Sequence, residues 1–181
     1  MANKAELEGY EESPFFKEAP GGHADWVAWA GGAEAQQDLF WSLIEVVGDR
    51  IEYLFKEHID EDEGRLIWRR TSGGIYPKDL RSVVESDSEL FFHDSGFQFC
   101  ARSPETGDYF AYDEHGIFWI YSEDTQYLEK LRQAGLKERD AALICDSPHW
   151  HVRPKDAADR LEHFISTLRE NSQFSERDEA D

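Results

Sequence analysis

Positive charge is scarce in this chain. Of its 181 residues, 19 are lysine or arginine and 39 are aspartate or glutamate, a formal net charge of −20. Affinity for nucleic-acid phosphates comes from clusters of lysine and arginine, so binding of DNA or RNA is not expected. An anionic membrane surface is disfavoured on the same ground. Cysteine is nearly absent, with two residues, which excludes a disulfide framework. No apolar run approaches the roughly 20 residues of a membrane-spanning helix. The opening stretch Met1–Glu8 lacks the apolar segment of a secretory signal, so the expected compartment is the cytoplasm. Neither standard phosphate-cradling glycine loop is present, nor a Gly-x-Ser-x-Gly elbow, nor His-Glu-x-x-His. The large enzyme classes readable from such motifs are therefore set aside.

Aromatic residues are plentiful. Six Trp, seven Tyr and twelve Phe supply a core despite the charge. Residues 1–22 show no periodicity and are expected to form an extended arm, with Phe15-Phe16 as an anchor. Residues 23–170 are expected to form one domain, and 171–181 a flexible acidic tail.

Leu39, Phe40, Leu43, Ile44 and Val47 share one face at helical spacing, which predicts a helix over Ala33–Val47 stopped by Gly48. Alternation over Arg50–Glu57 and Arg65–Arg70 predicts two strands, joined by the charged turn 60–64 and followed by a loop at Thr71–Gly74. Pro77 suits the first turn of a short helix. Four aromatic-rich runs separated by glycine-bearing turns predict a meander from Glu89 to Tyr121, beginning with Leu90-Phe91-Phe92 as a strand. A helix after Ser122, a short strand at Ala141–Cys145 and a closing helix over Asp156–Glu170 complete the reading. The expected fold class is α+β: an antiparallel meander sheet of about five to seven strands packed with three to four helices.

Charge placement points to a partner. Residues 1–63 hold sixteen acids against four bases. Glu52, Glu57 and the run Asp60, Glu61, Asp62, Glu63 are the candidate contacts for a basic protein, whose association the field would accelerate. The run is not an EF-hand, since Gly64 falls at its fifth place and Thr71 at its twelfth.

A second candidate is Cys145-Asp146-Ser147-Pro148-His149-Trp150-His151. On an extended segment Cys145, His149 and His151 share one parity, a set able to take zinc, with His93, His115 or Asp113 as a fourth ligand. Asp113-Glu114-His115 pairs carboxylates with an imidazole, a combination suited to acid–base work, in a place where a hairpin turn is expected. Trp26 and Trp29 are expected to be buried.

In size, charge and sheet-plus-helices plan the chain resembles bacterial immunity proteins. That resemblance implies a non-catalytic, acidic inhibitor of a basic toxin or nuclease, without cofactor. The alternative is a small metal-dependent or hydrolytic enzyme built on Cys145, His149 and His151.

Overall fold

The computed structural model describes residues 5–6, 13–22, 24–61 and 65–172. The chain is α+β. Its strands are β1 (Ala5–Glu6), β2 (Phe15–Glu18), β3 (Trp26–Trp29), β4 (Ile51–Glu61), β5 (Arg65–Ile75), β6 (Phe97–Arg102), β7 (Tyr109–Tyr112), β8 (Ile117–Tyr121), β9 (Lys137–Glu138) and β10 (Trp150–His151). Its α-helices are α1 (Ala33–Val47), α2 (Pro77–Ser86), α3 (Ser88–His93), α4 (Thr125–Gln133) and α5 (Ala157–Glu170). Eight strands form one sheet in the order β5-β4-β6-β7-β8-β3-β2-β9, and β1 pairs with β10 as a separate ribbon.

The sheet is mixed rather than a purely antiparallel meander. β9 joins β2 in parallel, with Phe15 opposite Lys137 and Phe16 opposite Glu138. The chain returns to that edge after α4, so its entry direction, not a hairpin, sets the pairing. Strands and helices both outnumber the expectation from sequence.

Side chains alternate across this sheet. Tyr53, Phe55, Phe97, Phe99, Phe110, Tyr112, Phe118 and Ile120 point to one face, where all five helices contribute to the same buried cluster. Phe40 of α1 sits at its centre, within ring contact of Phe91, Phe92, Phe99, Phe110 and Tyr112. Edge-to-face packing of this kind adds to the burial of each ring. On the opposite face, Phe15, Val27, Trp29 and Ile117 are covered by Ala141, Leu143 and Ile144. That cover does not extend over β6 and β7.

Three local differences have physical causes. Leu90-Phe91-Phe92 is helical, not a strand. A short apolar run fits either state by pattern alone, and Asp87 decides it by accepting a hydrogen bond from Leu90 N at 3.1 Å as the cap of α3. Thr71–Gly74 belongs to β5, because its ladder with β4 continues through Phe55 opposite Thr71 to Ile51 opposite Ile75. Ala141–Cys145 is not a strand. It is irregular and enters a 3-10 turn at Ile144–Asp146, while its apolar residues are still buried. Trp29 is buried and Trp26 half-buried.

The turn between β7 and β8 leans on α1. Buried Gln36 donates to Gly31 O at 2.8 Å and accepts from Tyr112 Oη at 2.6 Å. Gly116, at φ +78°, lies against that amide, and a Cβ there would fall 2.8 Å from Gln36 Nε2. Gly116→Ala therefore adds a steric clash to a left-handed conformation, an expected loss of about 3 kcal/mol in chemical denaturation. Gly135→Ala, at φ +81° with open space around it, should lose only the conformational part, about 1 kcal/mol. Equal losses at the two positions would contradict this reading.

Candidate functional site

Asp113 builds the first half of the site. Its carboxylate is buried and accepts three hydrogen bonds: Oδ1 from His115 N and Ile117 N, both at 2.9 Å, and Oδ2 from Trp119 Nε1 at 2.8 Å. These bonds close the turn that projects His115. The His115 side chain is 13% exposed, with Nδ1 3.5 Å from Asp113 Oδ2 and 4.0 Å from Glu114 Oε1. Glu114 is in turn held by Gln98, whose Nε2 donates to Oε2 at 2.5 Å. An imidazole so placed faces negative charge on its Nδ1 side.

The segment from Ser147 to Arg153 builds the second half. It carries little apolar anchorage: Trp150 is 60% exposed and His151 is exposed. Polar groups fix it instead. Asp94, with no exposed surface, takes both arms of Arg153, Nε at 2.8 Å and Nη2 at 3.2 Å. A main-chain bond from Ser95 N to Val152 O at 2.9 Å reinforces the link. Upstream, His149 Nδ1 stands 2.6 Å from Ser147 O. A carbonyl only accepts, so Nδ1 carries the proton and Nε2 keeps the lone pair. The β1 ladder, Ala5 opposite His151 and Glu6 opposite Trp150, flanks the other side.

The two halves meet. Ring centroids of His115 and His149 are 4.8 Å apart, those of His115 and His151 5.2 Å, and those of His149 and His151 5.0 Å. One ligand atom from each ring lies within 4.8 Å of the others, and Asp113, Glu114 and His115 form an overlapping set on the same scale. Among the described residues these are the side chains able to hold a metal.

His115 also borders a groove of about 1130 Å³ on the sheet face that the helices leave uncovered. Tyr109 and Tyr121 stack at its floor, centroids 4.1 Å apart and planes 10° from parallel. Both phenols are raised above the ordinary tyrosine value, chiefly by burial. Arg50, Lys56 and Arg102 line it together with Glu52 and Asp113. The groove is thus richer in cations than the chain as a whole.

Cys145 lines the groove too, but its sulfur belongs to neither ligand set. Burial, and next the Asp146 carboxylate, push its thiol up to about 11. The Cys100 thiol is also raised by burial. Both therefore stay protonated at neutral pH and are weak nucleophiles. His93 ends α3 and belongs to neither ligand set.

The acidic candidates separate. Glu57 is 2% exposed and its carboxylate meets the Arg69 guanidinium, so it presents no charge to solvent. Glu52 bonds Arg102 at 3.1 Å on the groove rim. Asp60 and Glu61 lie on the outer end of β4. Asp62 and Glu63 lie outside the described residues. Sequence reasoning placed His149 and His151 together and named His115 only as an added ligand. It missed Asp94 and Arg153, 59 residues apart, because no local pattern marks a long-range ion pair.

Comparison with known protein families, with curated proteins and with solved structures finds no match for this chain. The site must therefore be read from its own chemistry.

Arg153→Ala would leave the Asp94 carboxylate buried without its cation. The expected cost is about 3 kcal/mol in urea denaturation, and Asp94→Ala/Arg153→Ala should recover part of it. A loss below about 0.5 kcal/mol, typical of an exposed pair, would show that the clamp does not hold the segment.

Proposed function

We propose that the chain is a non-catalytic binding protein whose partner is a basic protein, in the manner of an immunity protein masking a cationic toxin or nuclease. The observation that carries this reading is the reach of the β4–β5 hairpin. β6 pairs with β4 only as far as Glu57 opposite Phe97. The β4–β5 ladder runs on through His58, Ile59, Asp60 and Glu61, ending at Glu61 opposite Arg65. The two-stranded ladder thus continues past the neighbouring strand and ends at Asp60 and Glu61, which Asp62 and Glu63 follow in the sequence.

Charge arithmetic supports the same reading. Several of the few cations are already engaged: Lys17 by Asp140, Lys130 by Glu45, Arg160 by Asp87 and Glu89, and Arg153 by Asp94. The acidic surplus is therefore what an approaching macromolecule meets first, and oppositely charged partners are steered to it. The cation-lined groove is a poor seat for a basic surface, so the contact we propose is the acidic run that begins at the outer end of β4. The protonated state of Cys145 and Cys100 argues against a thiolate enzyme.

A second reading, a small metal-dependent or hydrolytic enzyme, is favoured by one observation: His115 belongs both to the imidazole cluster and to the groove wall. Hydrolysis that needs added metal and is lost in His149→Ala would support it over the first.

Capture from the native lysate tests the leading reading. The chain should retain a cationic protein, and retention should fall at least about tenfold between low and physiological ionic strength, as screening demands. Reversing the charge of this run with Asp60→Lys, Glu61→Lys, Asp62→Lys and Glu63→Lys should abolish retention without loss of fold. Retention indifferent to salt and to the reversal would overturn the proposal.

A further inference from the structure

We infer that His115, His149 and His151 together bind one divalent transition-metal ion, zinc being the ion their chemistry suits best. The inference stands on geometry and is independent of the partner reading above. Zinc bonds imidazole nitrogen at about 2.0–2.1 Å, which puts each ring centroid about 3.2 Å from the ion and tetrahedrally placed centroids about 5 Å apart. The three observed separations are 4.8, 5.2 and 5.0 Å. Ring packing alone also gives separations in this range, so the ligand identities and the His149 tautomer carry the rest of the inference.

The protonation pattern agrees. Ligating histidines commonly donate their other ring N–H to a backbone carbonyl or a carboxylate, which fixes the tautomer and orients the ring. His149 does so through Nδ1 to Ser147 O. His115 turns Nδ1 toward Asp113 and Glu114. In His149, therefore, Nε2 is the atom left for a metal. Asp113 serves from behind, because both its oxygens already accept hydrogen bonds from the turn and from Trp119. Its negative charge, with that of Glu114, offsets part of the ion's.

The ligand atoms lie within 4.8 Å of one another, against about 3.3 Å for nitrogens sharing one zinc ion. Holding one ion would require these nitrogens to draw together by up to about 1.5 Å. Three imidazoles occupy three positions of a tetrahedral site and leave the fourth to water. Cys145 is not part of the set.

Tag-free protein, stripped by a chelator, should be titrated with Co2+ and then with Zn2+. The expected result is one equivalent of Co2+ with the intense visible bands of a tetrahedral site, displaced by one equivalent of Zn2+. His149→Ala and His151→Ala should each weaken binding at least about 100-fold, since even changes outside the ligand shell cost 10–100-fold. His163→Ala, an exposed position on α5, and Cys145→Ser should leave it unchanged. His151 is exposed, so an unaltered circular dichroism spectrum of His151→Ala is the check on folding. A spectrum that stays that of the octahedral aquo ion would overturn the inference, as would equal weakening by His163→Ala or loss of the site in Cys145→Ser.

Discussion

Asp94 is wholly buried, and water cannot solvate its charge there, so a cation must lie within hydrogen-bonding reach. Arg153 is that cation, and together with the Ser95 N–Val152 O bond it ties down a segment with little apolar anchorage. Trp150 and His151 are exposed, Pro148 offers no amide hydrogen, and the β1–β10 ribbon is two residues long on each strand. The ion pair therefore decides where residues 147–153 run. Once they run beside the β7–β8 turn, His149 and His151 fall next to His115. The arrangement of three imidazoles follows from a charge that the fold had to neutralise.

The rest of the molecule divides the labour between two sheet faces. One face is filled with aromatic side chains around Phe40 and covered by helices. The other is partly covered by the Ala141–Ile144 segment and otherwise open as a groove. The same segment leads into Cys145 and the histidines. Covering the second face and delivering the imidazoles are thus done by one stretch of chain. The acidic surplus has no part in this. Its described share on the β4–β5 hairpin, Asp60 and Glu61, lies at the outer end of β4.

The sequence was most legible where local pattern alone governs the outcome. The apolar stripe of α1 ends at Gly48 as expected, and the aromatic alternation of β6, β7 and β8 carried their pairing. It was least legible where a distant group intervenes. Leu90-Phe91-Phe92 has the composition of a strand, and the cap from Asp87 makes it a helix. Thr71-Ser72-Gly73-Gly74 has the composition of a loop, and the β4 ladder makes it a strand. The parallel partner of β2 depends on the path of the chain after α4, which no window of residues records. At the site, the spacing of His149 and His151 was visible, while the replacement of Cys145 by His115 required knowing which way the β7–β8 turn points. Glu57 shows the converse. By composition it belongs to an acidic surface, but its parity on β4 turns it inward to Arg69.

The central claim is that the Asp94–Arg153 pair brings three imidazoles into mutual contact in the protein on its own. Nuclear magnetic resonance of the metal-free chain at neutral pH tests it most directly, through ring-to-ring Overhauser contacts and long-range nitrogen–proton correlations of the histidines. The account predicts contacts among the rings of His115, His149 and His151, and a His149 imidazole protonated at Nδ1. Three rings without mutual contacts, with His149 averaging between tautomers, would contradict it.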